Sequence, residues 1–79
     1  MARAHVYRNG RIVFRAQGRP CPEGALPLPD VPRALIEAEA RRAHGGKTLL
    51  VPGVPEAETG ERAIDALLAF AKRLEQAAR

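Results

Sequence analysis

Apolar and polar positions alternate over residues 3–8 and 11–16, RAHVYR and RIVFRA, on either side of Asn9-Gly10. A period of two marks a half-buried strand, and Asn-Gly suits a two-residue type I′ turn, whose two positions both need positive φ. The expected element is a β-hairpin over 3–16. Counted outward from such a turn, the pairs are Arg8 with Arg11, Tyr7 with Ile12, Val6 with Val13 and His5 with Phe14. One face then holds His5, Tyr7, Ile12, Phe14 and Ala16, and the other holds Ala4, Val6, Arg8, Arg11, Val13 and Arg15. The aromatic face is expected to meet the core. The opposite face is a Val6–Val13 patch ringed by three guanidiniums.

After the hairpin the periodicity lapses. Pro20, Pro22, Pro27, Pro29 and Pro32 fall within residues 17–32, where missing N–H donors and fixed φ disfavour regular elements. The expectation is an irregular, polyproline-like crossing over 17–30, pinned by Leu26 and Leu28. A 3.6-residue period follows and predicts a helix over 31–44, capped by Asp30 and ended by Gly45 in a left-handed position. Arg33, Glu37, Arg41 and His44 would share its polar face. Its apolar residues divide into two stripes, Val31–Leu35–Ala38 and Ile36–Ala40–Ala43, with Glu39 and Arg42 between them. One stripe is left to face a partner, unless its alanines are simply indifferent to their surroundings. KTLLV at 47–51 reads as a central strand. Thr59 is the expected cap of a second helix over 60–78, with Ala63, Ile64, Leu67, Leu68, Phe70, Ala71 and Leu74 on its apolar half. The order ββαβα is that of a small α+β domain, with a three-stranded sheet and both helices on one side.

Composition narrows the class. Seventy-nine residues make one domain, and a chain of this size buries only about 60–65% of its unfolded surface. Cys21 is the single cysteine, so disulfides cannot reinforce so thin a core. A lone thiol and no secretory signal point to the reducing cytoplasm. No apolar run reaches the roughly 18 residues of a membrane span. The formal charge is +4. Ala, Arg, Gly and Pro together fill 40 positions; all four have GC-rich codons, so a GC-rich genome alone could raise the arginine count. Distribution is more telling than total. Residues 1–20 carry five arginines and no acid, whereas residues 21–79 carry eight bases and nine acids. The excess is N-terminal.

Candidate chemistry is sparse. GGKT at 45–48 has the end of a P-loop, but Arg41 stands where the spacing needs glycine, and a strand rather than a helix follows. His5, His44 and Cys21 have no spacing that implies a nucleophile–base pair or a zinc site. The acids of EAETGE at 56–61 sit where a helix start accommodates negative charge. PDVP and PGVP have PxxP spacing without a flanking arginine to complete a ligand motif. An enzyme is not expected, and neither a cofactor nor a metal is implied. What remains is Arg8, Arg11 and Arg15 with Val6 and Val13. Charged hairpins resist edge-to-edge aggregation, which explains these arginines without a partner. Their planar five-donor forks also suit phosphates or carboxylates.

The segment LLVPGVPEAETGERAIDALLAFAKRLE (49–75), behind a small basic hairpin, resembles the tails of accessory proteins of temperate phages from GC-rich bacteria, some of them host-nuclease inhibitors. The resemblance covers about a third of the chain and carries no site residues across. It implies action by binding and blocking. The expected function is a small non-enzymatic interaction protein that binds and modulates another protein through the basic hairpin face. The alternative is a small nucleic-acid-binding module with the arginines on phosphates. With only Tyr7, Phe14 and Phe70 as aromatics, and two of them assigned to the core, base stacking is not expected. An open sheet face also admits a symmetric homodimer.

Overall fold

Antiparallel hydrogen bonding joins short segments spread over the first fifty residues. The computed structural model describes residues 2–16, 18–54 and 61–79, with the side chains of Ala2, Glu61 and Arg62 excepted. The expected cap Thr59 and the acids Glu56 and Glu58 lie outside the described residues. β1 (Ala2–Tyr7) and β2 (Arg11–Ala16) form the predicted hairpin. β3 (Ala25–Pro27), α1 (Arg33–Glu39), β4 (Arg41–Ala43), β5 (Thr48–Leu50) and α2 (Glu61–Ala77) follow. The strands make one sheet in the order β3-β1-β2-β5-β4. The α+β class with an N-terminal hairpin and two helices on one face is the one expected. The sheet, however, has five strands where three were predicted.

The hairpin register differs from the expected one by a residue. Val6 pairs with Ile12, His5 with Val13, Ala4 with Phe14 and Arg3 with Arg15. Three residues, Arg8, Asn9 and Gly10, make the loop. Gly10 N–H donates to Tyr7 O at 2.8 Å, and Arg11 N–H donates to Asn9 Oδ1 at 3.0 Å. Asn9 does not take the positive φ that a type I′ turn requires, whereas Gly10 does, at 90°. This is the turn-plus-bulge solution to a three-residue hairpin loop. Gly10 O also accepts from Val51 N–H at 2.8 Å, which ties the bulge to the chain leaving β5. A Cβ on Gly10 would stand 3.2 Å from Val54 Cβ and Cγ1, so glycine is required by both φ and space.

A one-residue slip moves a strand's side chains to the opposite face. Ala4 and Val6 therefore join Ile12 and Phe14 toward the helices, and His5 and Tyr7 turn away. Val6, expected beside Val13 on the arginine face, is 1% exposed in the core. Across the sheet the inner row runs Leu26, Val6, Ile12, Leu49. Over it lie Ile36 of α1 and Ala63, Leu67, Phe70 and Leu74 of α2, with Leu28, Val51 and Val54 closing the sides. The α2 residues recur at spacings of four, three and four, so they share one helical stripe. Leu68, expected within that stripe, is 59% exposed.

Two strands arise where none was expected. Inside the proline crossing, β3 pairs with β1, and Leu26 and Leu28 pin it as predicted. Pro27 is tolerated there because an edge strand need not donate on its open side. The helix expected over 31–44 ends at Glu39, with Ala40 extended at ψ 156°. Its N-cap is Pro32, without a side-chain cap, rather than Asp30. Arg41–Ala43 pairs with β5 through a turn in which His44, Gly45 and Gly46 all have positive φ. His44 and Gly45 therefore belong to a hairpin turn, not to a helix end. Ala and Arg favour helix, but a helix through 43 would leave the N–H and C=O groups of β5 bare on one side, and backbone pairing is the stronger demand. The two predicted helical stripes do not survive this change. Ile36 is buried, Leu35, Val31 and Ala40 pack against the core, and Ala38 is exposed. Glu39, placed between the stripes, reaches Arg73 of α2 at 2.9 Å and links the helices.

Candidate functional site

The sheet face turned away from the helices is built by alternation. On β1 it carries Arg3, His5 and Tyr7, and on β2 Arg11, Val13 and Arg15. Leu50 of β5 and Arg41 of β4 continue the row that starts at Arg11. Ala25 and Pro27 extend the face beyond β1. Four arginines thus share one surface, and no acid occupies a paired position on it. Arg3, Arg11, Arg15 and Arg41 make no ion pair among the described residues. The ion pairs that are present lie elsewhere: Arg33 with Glu37 at 3.1 Å along α1, and Glu39 with Arg73. Arg33 also stands over the Phe14 ring at 4.2 Å, on the helix side of the sheet.

The centre of this face is apolar. Leu50 is 6% exposed although it does not belong to the core beneath the helices. Its Cα partners are Arg11 on one side and Arg41 on the other. Arginine stems cover apolar surface while their heads reach water, and that accounts for a buried leucine on an open sheet face. Val13 and Tyr7 are half-buried. Asn9, Arg11, His44, Thr48 and Leu50 line a shallow depression of about 400 Å³. His5 is buried beside Val13 and Pro27. Burial first, and then the charges of Arg3 and Arg15, lower its pKa below the ordinary 6.5. Its imidazole is therefore neutral at pH 7.

No family model, curated protein or solved structure matches this chain. The site must be read from its own chemistry.

Of the five residues expected to bind a partner, Arg11, Arg15 and Val13 share the outer face. Arg8 is exposed in the turn at its margin, and Val6 is in the core. Arg8 and Arg11 do not oppose each other across the hairpin. The like-charged pair that does is Arg3 with Arg15. Sequence reasoning missed Arg3, Arg41 and Leu50. A signal for Arg3 existed: in the two-residue register it falls on the aromatic face assigned to the core, where an unpaired guanidinium is costly. The three-residue register removes that conflict. Arg41 had no such signal, because it was placed on a helix.

Among the described residues, no cluster of three or more His, Cys, Asp or Glu could hold a metal ion. Cys21 is exposed, and its Sγ donates to Ala25 O at 3.3 Å. Lys47 follows a hairpin turn and leads into β5, which is not the loop-to-helix setting of a phosphate-binding P-loop. No helix among the described residues is long and apolar enough to cross a membrane.

Proposed function

We propose that this is a small non-enzymatic interaction protein whose arginine-ringed sheet face docks onto an acidic surface of another protein and modulates it. One observation carries the reading: four arginines without an ion pair among the described residues surround an apolar centre of Leu50, Val13 and Tyr7, on the sheet face opposite α1 and α2. Protein interfaces are enriched in Arg and Tyr, poor in Lys, and organised as an apolar centre within a polar rim. Carboxylates on the partner would meet the rim and steer the approach. The resemblance of the tail to phage accessory inhibitors supports the same mode of action, binding and blocking in the cytoplasm without chemistry.

A second reading has its own observation. Tyr7, expected in the core, lies on the arginine face, so one stacking surface stands beside cations suited to phosphates. A single aromatic supports little stacking, which leaves protein the better fit. Two copies of this chain meeting through the same face would oppose their arginines, so such a homodimer would form better in high salt than in low.

The test pairs capture with nucleic-acid titration. The tagged wild-type chain and its Arg11→Glu/Arg41→Glu variant are used to capture partners from host extract. In parallel, both are titrated with duplex and single-stranded DNA by fluorescence anisotropy. The docking reading expects a stoichiometric partner that the variant loses and DNA binding that is weak at physiological salt. Retention of every captured protein by the variant refutes it. DNA affinity that falls with salt at a log–log slope of about −3.6, as four neutralised phosphates would give, establishes the second reading instead.

A further inference from the structure

At the open end of the hairpin the outer face sets two arginines side by side. Arg3 and Arg15 are Cα partners across β1 and β2, and neither has an ion-pair partner among the described residues. His5 lies one row along on the same face, between Val13 of β2 and Pro27 of β3. It is 3% exposed, and Nδ1 is buried without a hydrogen-bond partner. Two guanidiniums one row from a buried imidazole oppose stability. Like charges across a sheet repel, an unpartnered buried nitrogen forfeits its hydration, and the histidine is held neutral. An oxyanion between the arginines would relieve the repulsion.

We propose that Arg3 and Arg15 clamp a single carboxylate of the docked partner, with His5 as the floor of the site. The source of that carboxylate rests on the docking reading above, whereas the clamp belongs to the free chain. A guanidinium presents parallel donors that match a carboxylate. Residues opposite one another on antiparallel strands have Cα atoms about 4.5–5.5 Å apart, so two such forks reach one anion from neighbouring strands. The groups facing His5 are Arg3 and Tyr7 on its own strand and Arg11 and Arg15 on β2, while β3 (Ala25–Pro27) carries no titratable side chain. Negative charge between the arginines therefore offsets the Arg3 and Arg15 charges that help to lower the His5 pKa. Anion binding and proton uptake are then linked. Binding tightens as pH falls toward the lowered pKa of His5, by at most about tenfold per pH unit for one proton, until the carboxylate itself protonates.

The His5 ring resonances in an NMR pH titration report on the site directly. The titration is run in chloride, acetate and sulfate at matched ionic strength. Acetate is expected to move the His5 midpoint upward relative to chloride. Arg15→Gln is expected to raise the His5 midpoint with no anion present and to abolish the acetate response, which Arg11→Gln retains. Equal midpoints in chloride and acetate, or an acetate response that survives in Arg15→Gln, overturn the clamp. A response to sulfate that exceeds the acetate response overturns the carboxylate assignment in favour of a phosphate-bearing ligand. Partner capture by the wider face does not depend on the acetate response, nor the response on capture, so the two readings fail separately.

Discussion

Replacing Arg15 with glutamate places opposite charges where the hairpin now opposes like ones. Arg3 is its Cα partner, and both side chains are exposed. Cross-strand charge pairs contribute about 0.2–1 kcal/mol, favourable or unfavourable according to sign, and exposed pairs sit toward the low end. Removing the repulsion and adding an attraction should therefore stabilise the free protein by about 0.5–1 kcal/mol. In a domain of 60–100 residues, 1 kcal/mol moves Tm by about 4–8 °C, so a rise of about 2–8 °C is expected by calorimetry or circular dichroism. Arg11→Glu has no such gain, because its Cα partner on β5 is Leu50 and Arg8 stands in the turn. It also loses the stem beside Leu50, so its Tm should stay level or fall. The Arg15→Glu gain should shrink at 1 M salt, where the Debye length is about 3 Å, and should disappear in an Arg3→Ala background. Both charge reversals should weaken partner capture, which sets stability against binding in Arg15→Glu alone. If Arg11→Glu raises Tm more than Arg15→Glu does, the hairpin has the two-residue register and the composition of the outer face is wrong.

Other perturbations check the core, the turn and the buried histidine. Leu67→Ala removes a side chain that is almost wholly buried beneath α2, at an expected cost of about 2–4 kcal/mol in denaturant unfolding. Gly10→Ala and Gly18→Ala share a φ of 90°, but only the former meets Val54. Their difference in unfolding free energy isolates the crowding, expected at about 1–3 kcal/mol. His5 has a lowered pKa in the folded state, so the unfolded chain binds its proton more readily. Stability should therefore hold above pH 6.5 and decline as pH falls through the window beneath it. His5→Asn should flatten that decline, measured as Tm between pH 7.5 and 5.

Much of this was legible because it depends on local pattern. Alternation and an Asn-Gly pair identified the hairpin, and the spacing of Ala63, Leu67, Phe70 and Leu74 identified α2. Leu26 and Leu28 marked where the proline-rich segment returns to the domain. Register was harder, since Asn-Gly serves both two- and three-residue loops. The choice here follows from the bond between Gly10 and Val51 and from the fit of Gly10 against Val54, neither of which is near in sequence. Arg41–Ala43 shows the same limit more strongly. Its residues favour helix, and only β5 beside it gives them reason to be a strand.

The sequence by itself determined an α+β domain, a basic N-terminal hairpin, an amphipathic final helix and an excess of positive charge confined to the first twenty residues. These follow from periodicity and composition, which act over a few residues at a time. Tertiary structure decided which arginines stand together. A one-residue shift exchanged the faces of β1, buried Val6, turned Tyr7 to the outer face and set Arg3 opposite Arg15. A strand drawn from a helix-forming segment then brought Arg41 to the same surface. The physical reason is that side-chain direction in a sheet has a period of two. The face a residue occupies is thus set by hydrogen-bond pairing with distant strands, and no local preference encodes it.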